Sequence, residues 1–84
     1  MIWDVELSQE ASNYAIDSHP HNEVVLMAIE QLAFAEDGFP TEGVYQRLES
    51  WCVWEIADHT IVYERTPESF HIYVWLIKPT TNGA

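Results

Sequence analysis

Positively charged residues are scarce in this sequence. Its 84 residues include three Lys and Arg against 14 Asp and Glu, which gives a formal net charge of −11. The first 46 residues contain nine carboxylates and neither Lys nor Arg. Because affinity for a phosphate backbone comes mainly from Lys and Arg, this composition argues against direct binding of DNA or RNA. It favours attraction to basic proteins, or a charge that only keeps the protein in solution.

Cysteine and long apolar runs are also scarce. Cys52 is the single cysteine, so an intramolecular disulfide framework and a cysteine-rich zinc site are excluded. No apolar run approaches about 18 residues, the length needed to span a membrane. The first residues lack the basic start of a signal peptide. We therefore expect a cytoplasmic protein with neither a membrane span nor a leader.

Hydrophobic residues are plentiful for so short a chain. They make up 48% of it, and aromatic residues, with four Trp among them, make up 13%. This is enough for a core and unlike a disordered segment. We expect one domain over residues 1–79, followed by a polar tail over residues 80–84. A domain of this size buries only about 60–65% of its unfolded surface, so a partner or dimerisation would add to its stability.

The first half of the chain predicts a strand followed by two helices. Trp3, Val5 and Leu7 alternate with acidic residues, which is typical of a half-buried strand. Ser8 is a good N-cap for a short helix that ends near Asp17. A second helix is predicted to begin at residue 20, because proline is tolerated in a first turn. Apolar residues at helical spacing continue this helix to residue 38, where a glycine favours its end.

The second half is typical of antiparallel strands. Three runs rich in aromatic and β-branched residues lie at residues 51–57, 60–66 and 70–77. Asp58-His59 is the predicted turn between the first two runs. The predicted fold class is α+β: an N-terminal strand, a helical hairpin and then a three-stranded antiparallel meander, with the helices packed on one face of the sheet.

This order of elements resembles the RelE/ParE toxin superfamily. The resemblance covers residues 2 to about 78, and the segments that carry it are Glu6-Leu-Ser-Gln-Glu-Ala11, Arg47-Leu48 and Ile61-Val62-Tyr63. It implies a component of a toxin–antitoxin system. In one branch of the family, basic residues cleave mRNA on the ribosome; in another, the partner is DNA gyrase. Both branches bind an antitoxin peptide against the sheet and helices.

The resemblance would assign RNA cleavage to Arg47, Tyr63 and Lys78. Glu49 stands where a second cation is common, and Thr60 stands where an arginine usually opens the second meander strand. Because metal-free cleavage needs cations that stabilise charge developing on phosphate, we expect a degenerate, non-catalytic member that acts through protein–protein binding. Two alternatives remain: a ribosome-dependent mRNA endonuclease, and an acidic decoy that inhibits a nucleic-acid-binding protein.

Histidine offers the remaining candidate chemistry. His19 and His21, with Asp17 and Glu23 nearby, have the residue types of a metal site, but capping or solvent exposure is the commoner explanation, so neither a metal nor a cofactor is expected. A nucleophilic pair of Cys52 and His71 would lack a third, orienting group. Core packing is the preferred interpretation of that cysteine, and His59 and His71 are interpreted as turn and sheet-face residues.

Tryptophan gives the most informative binding prediction. Trp51 and Trp54 lie on opposite faces of one predicted strand, so helices can cover only one of them. Exposed aromatic residues are typical of protein interfaces. We predict a contact surface composed of Trp51, Trp54, Tyr73 and Trp75. The expected partner is an antitoxin-like or basic protein, and a homodimer through the open sheet face or an edge strand is the alternative; no membrane contact is expected.

Overall fold

The computed structural model describes residues 2–17 and 23–80. Over these residues the chain forms a mixed α+β fold with two helices and one five-stranded sheet. In chain order the elements are β1 (Asp4–Leu7), α1 (Gln9–Asp17), α2 (Glu23–Leu32), β2 (Val44–Leu48), β3 (Trp51–Ile56), β4 (His59–Thr66), a 3₁₀ turn (Pro67–Ser69) and β5 (His71–Pro79). The predicted α+β class is confirmed. None of the helices in these ranges is long and apolar enough to cross a bilayer.

The strands lie in the order β1-β5-β4-β3-β2. β1 pairs with β5 in parallel, and the other neighbours are antiparallel. The meander therefore contains four strands, and the prediction of three is wrong because it misses β2. Every residue of β2 is exposed, since the strand lies at the edge of the sheet. Its sequence consequently lacks the alternation of apolar and polar residues that signals a buried face.

The predicted start of α1 is confirmed, and the predicted end of α2 is wrong. Ser8 caps α1 as predicted: its Oγ accepts the backbone N–H of Ala11 at 3.1 Å and donates to the Trp75 carbonyl at 2.7 Å. α2 ends at Leu32, well before the predicted stop at Gly38. The N–H groups of residues 33–35 bond to carbonyls three residues earlier, so the chain tightens into 3₁₀ geometry and leaves the helix. The predicted start of this helix at residue 20 lies outside the described residues.

The hairpin between β3 and β4 turns one residue earlier than predicted. Its two central residues are Ala57 and Asp58, with φ of 51° and 59°, and a type I′ turn requires positive φ at both. His59 is consequently the first residue of β4 and is buried. The interpretation of His59 as a turn residue is therefore wrong.

His59 instead joins β4 to α1. Its Nδ1 lies 2.7 Å from the Ala57 carbonyl oxygen, and its Nε2 lies 2.6 Å from the Tyr14 hydroxyl oxygen. Because the carbonyl can only accept, Nδ1 donates to it, and Nε2 shares a hydrogen bond with the Tyr14 hydroxyl. The His59 side chain thus bonds to polar groups of both the hairpin turn and α1.

Backbone pairing continues past β5. The N–H of Thr80 donates to the Asp58 carbonyl at 2.8 Å, and the hydroxyl oxygens of Thr60 and Thr80 lie 3.1 Å apart. The sheet therefore holds Thr80, the residue at which the polar tail was expected to begin. Residues 81–84 lie outside the described part of the chain.

The core lies between the helices and one face of the sheet. Its buried side chains are Trp3, Ala11, Val25, Ile29, Leu32, Phe39, Cys52, Trp54, Ile61, Tyr63, Ile72, Val74 and Ile77. On β3 and β4 these residues alternate, as the pleat of a strand requires. The opposite side of the sheet, which we call the outward face, is covered by neither of the two described helices.

Candidate functional site

The outward face is built from three rows of cross-strand neighbours. From β2 to β5 the rows are Leu48-Trp51-Glu64-Tyr73, Gln46-Val53-Val62-Leu76 and Val44-Glu55-Thr60-Lys78. Facing residues in a sheet lie close enough for their side chains to touch. Two of the three rows are therefore mainly apolar or aromatic.

A β-bulge enlarges the apolar part of this face. Val62 pairs with Leu76, whereas the next residue, Tyr63, pairs with Val74, which leaves Trp75 unmatched. An extra residue on one strand shifts the alternation by one. Trp75 and Leu76 both lie outward as a result, while Val74 and Ile77 stay in the core.

Three aromatic side chains contact one another on this face. The ring centres of Trp51 and Trp75 are 5.7 Å apart, and those of Tyr73 and Trp75 are 4.6 Å apart in an edge-to-face arrangement. Trp75 remains 43% exposed and Leu48 remains 48% exposed. We call the continuous surface of Leu48, Trp51, Val53, Val62, Tyr73, Trp75 and Leu76 the apolar patch. Exposed apolar surfaces of this kind mark interaction sites.

One carboxylate lies inside the apolar patch. Glu64 occupies the row position between Trp51 and Tyr73. Its Oε1 accepts the Trp75 indole N–H and its Oε2 accepts the Ser50 hydroxyl, each at 3.4 Å. Within the described residues, the contact between a carboxylate and a basic side chain is that of Glu6 with His71, at 3.1 Å. Glu64 therefore presents a negative charge that no cation of the described chain neutralises.

Further carboxylates lie at the margins of the outward face. Glu6 faces Tyr73 across β1 and β5, and Glu55 faces Thr60 at the far end of β3. Lys78 is the single Lys or Arg on this side. Carboxylates therefore outnumber cations around the apolar patch, and we call Glu6 and Glu55 its acidic rim.

The two arginines lie on the helix side of the sheet. Their guanidinium carbons lie 4.6 Å (Arg47) and 4.1 Å (Arg65) from the centre of the Phe39 ring. The Nε–H of Arg65 donates to the Asp37 carbonyl at 3.0 Å. Cation–π contacts of this kind stabilise the loop that leads into β2, so both charges are engaged in holding the fold.

The structure does not bring the three cleavage candidates together. Lys78 lies on the outward face, whereas Arg47 and Tyr63 lie on the helix side. Tyr63 is fully buried, and its hydroxyl donates to the Gly38 carbonyl at 2.9 Å. Burial, together with a hydrogen bond to Cys52, raises the pKa of Tyr63 far above its usual value. These residues form no common cleft for a phosphodiester.

The predicted binding residues divide between the two faces. Trp51, Tyr73 and Trp75 lie together in the apolar patch. Trp54 is 2% exposed on the helix side, where its indole N–H donates to the Glu42 carbonyl at 2.9 Å. Trp54 is a core residue because the helices cover its face of β3, so its assignment to the contact surface is corrected.

The interpretation of Cys52 as a core residue and of His71 as a sheet-face residue is confirmed. Cys52 is fully buried on the helix side, where burial raises its pKa and disfavours the reactive thiolate. His71 lies on the other side of the sheet with Glu6. Among the described residues, no group of three or more His, Cys, Asp or Glu is arranged to hold a metal; His19 and His21 lie outside them.

A cavity of about 350 Å³ opens on the helix side between the end of α2, the following loop and β3. Its walls include Leu32, Phe39, Trp54 and Ile56. The described residues that line it include no Lys, Arg, His or Cys, so it offers neither a cation nor a thiol or imidazole. The outward face is the stronger candidate for function.

Alkaline pH should destabilise the fold through Tyr63. The folded pKa lies above the ordinary value of 10.0, so the neutral phenol stabilises the fold fully below that pH. This stabilisation is lost as the pH rises towards the folded pKa, because only the unfolded chain ionises there. In urea unfolding from about pH 9 to about pH 11, the free energy of unfolding should fall more steeply for the wild type than for Tyr63→Phe.

The Tyr63→Phe variant also shows how much the Tyr63 hydroxyl contributes to the free energy of unfolding at neutral pH. It should lose about 1–2 kcal/mol at neutral pH, because the Gly38 carbonyl loses its buried donor. Parallel pH profiles for the two proteins would contradict the inferred shift in the pKa of Tyr63.

No protein family matches the chain, and a comparison with curated proteins finds no similar sequence.

Proposed function

We propose that this chain is a RelE/ParE-like protein that acts by binding a protein partner, as a component of a toxin–antitoxin system, and not by cleaving RNA. The observation that carries the proposal is the apolar patch. Trp51, Tyr73 and Trp75 contact one another on a sheet face that the described helices leave open. Large aromatic residues are the side chains that most often anchor protein interfaces.

The charges around the apolar patch indicate the chemistry of the partner. Glu64 lies within it, and Glu6 and Glu55 lie at its margins. The whole chain carries a formal net charge of −11. Complementary potentials accelerate encounter and exclude wrong partners. The partner is therefore a basic protein segment with apolar side chains between its cations.

The positions of the cations argue against nuclease chemistry. Arg47 and Arg65 contact Phe39 on one side of the sheet, and Lys78 lies on the other. Cleavage of RNA without a metal needs several cations around one phosphate. If expression nevertheless arrested growth and produced defined mRNA cuts that Arg47→Ala abolished, the endonuclease alternative would replace this proposal.

The acidic rim also favours a second candidate, an acidic decoy that occupies the basic cleft of a nucleic-acid-binding protein. It would use the same apolar patch and the same carboxylates. Competition with nucleic acid distinguishes the two: a decoy is displaced from its partner by RNA or DNA, whereas an antitoxin-like partner is not.

The experiment measures binding to the protein products of the two neighbouring reading frames, each purified after co-expression with the full chain. Trp75→Ala should weaken the complex at least about tenfold, and Glu64→Gln should reduce its salt dependence. Arg47→Ala is the matched control on the opposite side of the sheet and should leave affinity unchanged. The proposal is wrong if neither product binds, or if Arg47→Ala weakens the complex and Trp75→Ala does not.

A further inference from the structure

The two edges of the sheet differ in how they are protected. The edge strand β1 is short and carries Asp4 and Glu6, and charges on an edge discourage pairing with another chain. The edge strand β2 has five residues, all exposed, with Val44 74% exposed. It contains neither proline nor lysine, and its single cation, Arg47, contacts Phe39. β2 is therefore an unprotected edge.

The hydrogen-bond pattern identifies the backbone groups that β2 leaves free. The Ser50 carbonyl accepts the N–H of Arg65 on β4 at 2.8 Å. Backbone groups alternate in direction along a strand, so the groups of Trp51 point the other way, towards Leu48 on β2. The same alternation along β2 directs the N–H and C=O of Tyr45 and Arg47 away from the sheet.

We propose that β2 pairs in antiparallel fashion with β2 of a second copy of this chain, with Gln46 on the two-fold axis. In this register Tyr45 lies opposite Arg47 of the second copy, and the backbone groups of these two residues exchange hydrogen bonds. Val44 lies opposite Leu48 of the second copy, and Gln46 lies opposite Gln46 of the second copy. All five residues of each strand are paired.

The side chains are complementary in this register and in no neighbouring one. Arginine opposite tyrosine gives a cation–π contact, valine opposite leucine gives an apolar pair, and two glutamines bond through their amides. Glu42 and Glu49 beside the strand face Ser50 and Gly43 of the second copy, so no carboxylate opposes another. A register shifted towards the turn after β2 would place Arg47 opposite Arg47 of the second copy. A register shifted the other way would place Arg47 opposite Gly43 of the second copy.

The proposed dimer has consequences beyond the proposed partner binding. The two-fold axis is perpendicular to the sheet, so both copies present their outward faces on the same side, and Leu48 links each apolar patch to the interface. Two chains of charge −11 repel, and salt screens that repulsion within a Debye length of about 8 Å at physiological ionic strength. Self-association should therefore strengthen with salt, whereas binding of a basic partner should weaken.

Charge exchange at residue 46 tests the register directly. In sedimentation equilibrium of the full chain over a concentration series, the wild type should dimerise. Gln46→Glu and Gln46→Lys should each weaken dimerisation at least about tenfold, because like charges then meet on the axis. An equimolar mixture of the two variants should recover dimers, now of unlike chains. Gln31→Glu and Gln31→Lys, both at one exposed position of α2, are the matched controls, and each alone should dimerise as the wild type does.

Three results would overturn the proposal. The wild type could remain monomeric throughout the concentration series. The mixture of Gln46 variants could associate no better than either variant alone. Dimers could resist both Gln46 variants and yet dissociate with Trp75→Ala, which would locate self-association at the outward face. Each outcome is independent of binding to a neighbouring gene product, so failure here is distinguishable from failure of the proposed function.

Discussion

Trp54→Ala should lower the free energy of unfolding by about 3–5 kcal/mol. The Trp54 side chain is 2% exposed, packs edge-to-face on Tyr63 with ring centres 6.4 Å apart, and donates to the Glu42 carbonyl. Its removal would leave a void beside the cavity that it already lines. A small domain has only about 5–15 kcal/mol of stability in total, so a large fraction of the molecules should unfold on mild warming or at low urea concentrations.

Trp51→Ala is the matched control on the opposite side of the same strand. Trp51 contacts Trp75 at the surface and lies outside the core. Its loss should lower the free energy of unfolding by about 1 kcal/mol, with an unchanged urea m-value. Equal losses for the two variants would contradict the assignment of faces, and would mean that the apolar patch is packed against structure and not available to a partner.

The comparison of these two tryptophans also shows what the sequence can predict. Alternation along β3 correctly places Trp51 and Trp54 on opposite faces. It does not reveal which face the helices cover, because both residues are large and apolar and either could be in the core. That choice depends on where Val25, Ile29 and Leu32 of α2 pack, which no local pattern of β3 contains.

Parts of the fold with a local signal were predictable. Ser8 caps α1 through a hydrogen bond to a residue three positions later, and three of the four meander strands have aromatic and β-branched residues throughout. β2 was missed because a fully exposed edge strand has no buried face, so its sequence lacks the alternation of apolar and polar residues. The junction of Tyr14 and His59 was missed because these residues are distant in sequence and meet only when α1 packs on the sheet.

The outward face was predictable only in part for a similar reason. The run at residues 70–77 is apolar on both sides. A bulge that reverses which residues face the core therefore cannot be recognised from the order of apolar and polar residues. The bulge that turns both Trp75 and Leu76 outward becomes apparent only from the pairing of β4 with β5. The position of Glu64 between Trp51 and Tyr73 likewise depends on strand register, which a single sequence does not specify.

Gly43→Ala should lower the free energy of unfolding by about 2–4 kcal/mol. Gly43 has φ of 79°, a conformation that an L side chain rarely adopts. A Cβ atom here would lie 2.5 Å from the Glu55 carbonyl oxygen and 2.8 Å from the Trp54 indole nitrogen. The Glu55 backbone belongs to β3, so relieving the collision requires β2 or the buried Trp54 to move.

Gly38→Ala separates this collision from backbone strain alone. Gly38 has nearly the same φ, 78°, but the nearest neighbours of its Cβ would be the side chains of Arg65 and Trp3, each at 3.0 Å. These contacts are longer than those at Gly43 and involve side chains, so we expect a smaller loss of about 1–2 kcal/mol in the same urea titration. Because Gly43 directly precedes β2, its substitution should also displace the edge strand and weaken self-association, which Gly38→Ala should not do. Equal losses of stability would mean that φ alone determines the effect and that the start of β2 is free to move away from β3.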